Sequence, residues 1–156
     1  MSAGAGSKAE RAIATHPFFH GMPREFVHAI STEATERTYV ADDMIAREGA
    51  EADVFYLVLD GKVALELEAA DRPPITVQTV GPGELVGWSW LIPPHRWRFN
   101  VRALKPTRLL SLDGGVVRRS LHAHPDWGFD FMIRFLPVVA ERLENTLVQL
   151  QDIYGR

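Results

Sequence analysis

The chain contains 156 residues, carries a formal net charge of −3 and has no cysteine. This length predicts one domain with its own core, and the negative charge argues against a protein that binds nucleic acid or anionic membranes through bulk charge. The missing cysteine excludes disulfide bonds, cysteine-ligated zinc and cysteine-held iron–sulfur clusters. Because the sequence contains no apolar run of signal-peptide or membrane-spanning length, we expect a cytoplasmic protein.

Two short helices are predicted near the N-terminus. Residues 1–7 are mostly small, and we expect them to be mobile. Residues 8–15 can form a short helix that Pro17 ends. Pro23 suits the first turn of a second helix over residues 24–34. The apolar stripe of this second helix consists of Phe26, Val27 and Ile30.

From Glu36 onward the pattern is typical of short β-strands separated by turns. The predicted strands are residues 38–40, 44–46, 54–59, 62–68, 75–80 and 108–112. Asp60-Gly61 lies between two of them, which predicts a hairpin with a type I′ turn. In the alternating strand after this turn, Val63, Leu65 and Leu67 share one face, and Lys62, Glu66 and Glu68 share the other. With residues 69–74 as a loop, the spacing favours a sandwich, roll or barrel.

The C-terminal part of the chain has a helical period. A short helix is predicted over residues 116–122, and a long one from Asp126 to about Tyr154. Pro137 costs this helix a hydrogen bond unless it lies near a bend or in the first turn. Six residues of the long helix follow alternating spacings of four and three: Leu136, Ala140, Leu143, Leu147, Leu150 and Tyr154. The helix could pack on its own barrel, but so narrow a stripe favours the seam of a homodimer.

Residues 80–103 combine glycine, proline and aromatic residues in one segment. Gly81-Pro82-Gly83 predicts a tight turn, and Gly87 allows close approach of the backbone. Strand, glycine-rich turn, loop and strand is a geometry that can present backbone N–H groups to an anion. Three of the four tryptophans of the chain fall in this segment, so it is unlike an ordinary surface loop.

Together these motifs resemble the cyclic-nucleotide-binding domain of the Crp/Fnr regulators, from Phe18 to about Tyr154. Residues 45–53, IAREGAEAD, resemble the family pattern I-x-x-E-G-x-x-A-D, and residues 55–63, FYLVLDGKV, resemble Y-x-I-x-x-G-x-V. Residues 83–87, GELVG, resemble the G-x-x-F-G that opens the phosphate-binding cassette, and residues 101–103 resemble the strand that closes it. The resemblance implies an eight-stranded antiparallel β-roll, or jelly roll, with flanking helices and a long C-terminal helix that often dimerises. It divides the chain into residues 1–7, a roll with N-terminal helices over 8–125, and the long helix over 126–156.

The sequence departs from this family at the residues that bind the cyclic nucleotide. The family's cassette has a Glu that accepts from the ribose hydroxyl and, about nine residues later, an Arg that pairs with the phosphate. The matching positions here are Trp88 and Trp97, and the family's Ala-Thr pair is replaced by Phe99-Asn100. A phosphate out of water needs a charge or several hydrogen bonds to compensate it, and each Trp buries about 200 Å².

Three interpretations of the cassette stay open. The aromatic residues can plug the roll so that nothing binds, or they can form a stacking box for another planar or anionic ligand. Alternatively, Arg96 or Arg98 replaces the missing Arg and a cyclic nucleotide still binds, although strict alternation directs both away from the side of Trp97. The candidate ligand-binding residues are Val86, Gly87, Trp88, Ser89, Trp90, Arg96, Trp97, Arg98, Phe99 and Asn100.

Other groupings carry no chemistry that we can assign. His122 and His124 precede Pro125 and fit a surface pair better than a metal site. Ser89 lacks the context of a nucleophile, and no phosphate-binding glycine motif occurs. Because the chain ends at Arg156, directly after the long helix, we expect no DNA-binding helix-turn-helix. We therefore expect a non-enzymatic regulatory module without metal or cofactor that binds an atypical small ligand or a protein partner, with a genuine cyclic AMP or cyclic GMP receptor as the alternative.

Overall fold

A computed structural model describes the backbone of residues 2–154 and the side chains of residues 8–154. The helices are α1 (Ser2–Thr15), α2 (Arg24–Ser31), α3 (Gly114–Ala123) and α4 (Pro125–Tyr154). The strands are β1 (Thr35–Tyr39), β2 (Met44–Ala46), β3 (Val54–Asp60), β4 (Val63–Ala69), β5 (Arg72–Val80), β6 (Leu85–Val86), β7 (Asn100–Ala103) and β8 (Thr107–Asp113). They form two four-stranded antiparallel sheets, ordered β1-β8-β3-β6 and β2-β7-β4-β5. The predicted eight-stranded antiparallel roll with flanking helices is thus confirmed.

The first helix is longer than its sequence signals indicate. It begins at Ser2, whereas the pattern predicts a start at Lys8, so most of the N-terminal segment assigned to residues 1–7 is helical. Met1 lies outside the described residues. Small residues such as Ala have high helix propensity, so a string of small residues is ambiguous between a helix and an unstructured terminus.

The hairpin predicted at Asp60-Gly61 is wrong. β3 pairs with β8 and β6, whereas β4 pairs with β5 and β7, so the turn carries the chain from one sheet to the other. Gly61 has a φ of 98°, and a Cβ added there would meet the Pro106 carbonyl oxygen at 2.6 Å. The backbone N–H of Lys62 donates to the Thr107 hydroxyl at 3.2 Å. Alternation identifies each strand, but it does not identify the strand's partner.

A true hairpin follows, at the segment predicted to be a loop over residues 69–74. Ala69 pairs with Arg72, which leaves a two-residue turn in which Asp71 has a φ of 61°. Pro73 and Pro74 therefore lie inside β5. The edge position of β5 tolerates one proline, because a missing N–H on the outer side breaks no ladder, and the register shift opposite Leu67 and Ala69 accommodates the other.

Glu66 is buried, although alternation places it on a solvent face. Only 3% of the residue is exposed. Arg102 of the neighbouring β7 donates to its two carboxylate oxygens, from Nε at 2.9 Å and from Nη2 at 2.8 Å. This bidentate pair lowers the pKa of the Glu66 carboxyl below its ordinary value, mainly through the hydrogen bond with Arg102. Arg102 also donates to Asp42 at 2.7 Å, which ties β7 to the turn after β1.

Apolar residues form two clusters on either side of β3. One lies between the sheets and is built on Tyr56, Val58 and Val101. The other packs the helices against the outside of β3 and β8 and is rich in aromatic rings, including Phe55 and Phe131. β3 is buried on both faces, which explains why its sequence is a nearly continuous apolar run.

The long helix α4 lies against this second cluster through one face only. Its buried residues are Trp127, Phe131, Phe135 and Arg142. The stripe predicted as a dimer seam lies on another face, where Leu136, Leu143, Leu147, Leu150 and Tyr154 are 44–82% exposed. Ala140 is exposed as well. Pro137 is also exposed and lies within the continuous helix. In the described part of the chain, no helix is both long enough and apolar enough to cross a membrane.

Candidate functional site

The glycine-rich segment enters the roll through a tight turn, as its sequence predicts. The Glu84 N–H donates to the Gly81 carbonyl at 3.1 Å, and Gly83 occupies the left-handed region with a φ of 84°. The Glu84 carboxylate accepts from the Gly81 N–H at 3.0 Å, which closes the turn from the other side. β6 follows and pairs with β3, so residues 87–99 begin at the edge of the buried strand.

Trp97 fills the space next to Gly87. Its ring stacks on Tyr56 with centroids 6.1 Å apart and an interplanar angle of 18°, and only 7% of the residue is exposed. Gly87 has a φ of 103°, and a Cβ added there would lie 2.8 Å from Cη2 of Trp97. The Trp97 backbone is held by hydrogen bonds with Gly49 at 2.8 Å and Ala50 at 2.9 Å. The indole of Trp97 therefore packs directly on the backbone of Gly87.

Trp88 closes the opposite side of the segment. It meets Phe99 edge to face at 5.6 Å between centroids, and the Arg142 guanidinium lies 5.3 Å from the centre of its ring. The cavity left between these rings measures only about 10 Å³, which is close to the volume of a single water-sized probe. Its walls include Gly87, Trp88, Ser89, Trp97, Arg98 and Phe99.

The structure separates the other predicted site residues from this cavity. Trp90 is fully buried in the cluster that packs the helices against β3 and β8. Its ring stacks on Phe55 with centroids 4.4 Å apart, and its indole N–H donates to the Gly87 carbonyl at 3.1 Å. Asn100 accepts from the Glu48 N–H at 2.8 Å and donates to Glu68 at 3.2 Å. Val86 lies in the cluster between the sheets. Trp90 and Asn100 thus have structural partners elsewhere.

Arg96 and Arg98 are both exposed, whereas Trp97 between them is buried, which is the difference that alternation predicts, although all three residues precede β7. Arg96 donates to the Gly49 carbonyl at 3.0 Å and forms an isolated backbone bridge with Glu51. Arg98 is among the residues that line the 10 Å³ cavity.

Arg142 of α4 is the residue at this site that the sequence interpretation missed. It is 8% exposed and donates through Nη2 to the Leu85 carbonyl. Its Nε and Nη1 have no hydrogen-bond partner in the described part of the chain. Burial lowers the pKa of the guanidinium to about 10, while Glu84 and Glu141 oppose that shift. One feature of the sequence could have indicated this residue: Arg142 is a charged residue between Val139 and Thr146, which widen the apolar stripe of the helix.

Two larger cavities meet at Arg142. One of about 270 Å³ lies between α4 and the β4–β5 hairpin, with Trp88 and Phe99 in its wall. The other, of about 240 Å³, is lined by Glu84 and Glu141 as well as by Arg142. Within the described residues, no group of three or more His, Asp and Glu side chains could hold a metal ion.

These features define an eight-stranded antiparallel β-roll in which a glycine turn leads to a loop beneath a long C-terminal helix. Residues 36–124, more than half of the chain, match the family described as Cyclic nucleotide-binding domain. The chain belongs to the cyclic nucleotide-binding domain family.

A curated relative supports this assignment. The chain is 30% identical over 133 residues to the Cyclic AMP receptor protein of Thermus thermophilus. The alignment covers 85% of this chain and 56% of that protein, so the chain spans little more than half the length of this relative.

Solved structures share the fold. A cyclic nucleotide-binding protein from Geobacter metallireducens GS-15 aligns with a TM-score of 0.76 and 27% identity, over 86% of this chain and 98% of that one. A cyclic nucleotide-binding domain from Methylobacillus flagellatus KT aligns with a TM-score of 0.78 and 20% identity, over 95% of this chain and 85% of that one. The second likeness concerns the fold alone.

Proposed function

We propose that this chain is a non-enzymatic regulatory module in which the cassette is closed to cyclic nucleotides, and that it responds to an atypical small ligand or a protein partner. The observation that carries the proposal is the cavity of about 10 Å³ at Gly87, walled by Trp88 and Trp97. A ribose and a cyclic phosphate need far more space than one water molecule. The regulatory role follows from the family and from the receptor named among its relatives.

The chemistry of the cassette supports the same proposal. Trp88 and Trp97 stand where the family pattern has the ribose Glu and the phosphate Arg. A charge-assisted contact of the kind that Arg makes with phosphate is worth about 2–3 kcal/mol. A nucleotide would also have to displace Trp97 from its stack on Tyr56. Both costs act against binding in the usual pose.

A genuine cyclic AMP or cyclic GMP receptor is the second candidate, because the curated relative at 30% identity is named as a cyclic AMP receptor protein. Arg98 borders the cavity and Arg96 lies two residues before it, also exposed, so either could supply the phosphate contact if this segment shifted register. This candidate requires Trp97 to leave its buried position.

Homodimerisation through α4 forms part of the proposal. The exposed apolar stripe from Leu136 to Tyr154 extends over about five helical turns, and an exposed apolar face of this length commonly marks an association surface. Two such stripes with alternating spacings of three and four can interlock as an antiparallel or parallel helix pair.

Titration calorimetry with cyclic AMP and cyclic GMP tests the proposed function. We expect no binding tighter than about 1 mM for the unmodified chain. Micromolar binding that disappears in Arg96→Ala or Arg98→Ala would favour the second candidate. Arg119→Ala, at an exposed position of α3, is the matched control for loss of a positive charge.

A further inference from the structure

Arg142 is a buried cation whose hydrogen-bonding capacity is only partly used. One nitrogen donates to the Leu85 carbonyl, and the guanidinium lies over the Trp88 ring. Nε and Nη1 are buried without a partner among the described residues. Leaving charged donors out of water without acceptors is costly, so the site is energetically incomplete as it stands.

The cleft next to Arg142 has the form of a small ligand pocket. Its volume is about 270 Å³, which is slightly below the usual range for ligand sites. Its walls are mainly apolar and include Leu65, Val77, Trp88, Phe99, Val139 and Leu143. One cation in a pocket with apolar and aromatic walls is complementary to a small organic anion with a flat apolar body.

The distribution of acidic residues decides from which side an anion approaches. Glu84 and Glu141 both line the 240 Å³ cavity on one side of Arg142 and would repel an anion there. Among the described residues, the lining of the 270 Å³ cleft contains no carboxylate, and its polar members are Gln78, Arg142 and Thr146. The 270 Å³ cleft, on the Trp88 side, is therefore the side of Arg142 that favours an anion.

We propose that the cleft between the β4–β5 hairpin and α4 binds a small aromatic monocarboxylate, with its carboxylate on Arg142 and its ring against Trp88 and Phe99. The proposal rests on the proposed function, because it takes the cassette at Gly87 to be closed. The anionic group of the ligand is then bound by Arg142 of α4 and not by the loop that follows Gly87. Such a ligand links the hairpin to α4, which also carries the candidate dimer seam. Occupancy of the cleft would thus affect the position of the helix that carries this seam.

Calorimetry with benzoate, phenylacetate and 1-naphthoate tests the proposal on the whole chain. We expect at least one of these acids to bind with a Kd below about 1 mM. Arg142→Gln should weaken that binding at least about tenfold, the effect of losing one charge-assisted contact. Arg119→Gln, the matched change at an exposed position of α3, should leave it unchanged.

The neutral amides of the same acids give a test that needs no variant, in case Arg142→Gln does not fold. Each amide should bind at least about tenfold more weakly than its acid, because the guanidinium selects for charge. Binding by none of the acids, equal binding of acid and amide, or equal binding by folded Arg142→Gln would overturn the proposal. If the acids fail and cyclic nucleotides also fail, only this inference falls. If cyclic AMP binds in an Arg98-dependent manner, the proposed function falls with it.

Discussion

At the scale of single residues, Trp97 is the side chain that closes the cassette. It is buried between the Gly87 backbone and the Tyr56 ring. Trp97→Ala should lower the free energy of unfolding by about 3 kcal/mol, because it removes a large buried side chain and leaves a cavity. Urea denaturation measures the loss. Trp97→Phe, which keeps a ring against Tyr56, should cost less than half as much, and equal costs for the two variants would show that the stack is unimportant.

The pair of Glu66 and Arg102 makes stability depend on pH. The pKa of Glu66 is lower in the folded chain than in the unfolded one, so its contribution is present above the unfolded pKa and is lost as the pH falls through the folded pKa. Arg102→Met should cost about 3 kcal/mol at pH 7, since it leaves a buried carboxylate without its partner.

Urea denaturation between pH 7 and pH 3 tests this expectation. The difference in stability between the unmodified chain and Arg102→Met should shrink as the pH falls, because protonated Glu66 no longer needs the guanidinium. A difference that stays constant over this range would contradict the assignment. Arg108→Met is the control, since Arg108 is half exposed and its contact with Glu36 is 3.5 Å at the surface.

At the scale of elements, the turn between β3 and β4 demands glycine for two reasons. Gly61 has a positive φ, and a Cβ there would collide with the Pro106 backbone at 2.6 Å. Gly49 also has a positive φ, but nothing lies within 4 Å of its added Cβ. Gly49→Ala should therefore cost only backbone strain, about 1 kcal/mol, and Gly61→Ala at least twice that. Thermal unfolding compares the two, and equal losses would argue against the close crossover between sheets.

The exposed stripe of α4 makes a prediction about assembly. Leu143→Glu and Leu147→Glu each place a charge in the proposed seam, where both positions are more than half exposed in the single chain. Each change should convert a dimer to a monomer in sedimentation experiments without loss of helical content, because the substituted side chains are not part of the roll's core. Glu144→Gln, at an exposed position between them, is the control.

A monomer at high concentration, unaffected by either change at Leu143 or Leu147, would contradict the dimer. The cleft at Arg142 shares Leu143 with the stripe, so the same experiment repeated with a bound acid also shows whether ligand and assembly are coupled.

At the scale of the whole molecule, local signals predicted the fold and long-range partners limited the detail. The apolar run of β3, the alternation of apolar and polar residues in β4 and the helical spacing of apolar residues in α4 each reflect burial along one element. The family motifs around Glu48, Gly61 and Gly87 predicted the architecture of the roll. The partner of β4 depends on where the chain crosses between sheets, which alternation does not encode. The burial of Glu66 is not encoded in alternation either, because its partner Arg102 lies on β7.

The candidate site shows the same limit. Alternation predicts that Trp97 and its neighbouring arginines differ in exposure, and they do, although these residues precede β7 and do not lie within a strand. Trp90 lies away from the cavity because the segment after Gly87 is a turn rather than a strand, so no period fixes its side chain. Arg142 was missed because its role depends on a contact between α4 and β6, and its partner Leu85 lies 57 residues earlier in the sequence.

A crystal structure of the chain grown with excess cyclic AMP tests the closed cassette most directly. We expect Trp97 to remain stacked on Tyr56 and the space above Gly87 to hold no nucleotide. A cyclic phosphate seated on the glycine turn, with Trp97 displaced and Arg96 or Arg98 in contact with the phosphate oxygens, would contradict the account.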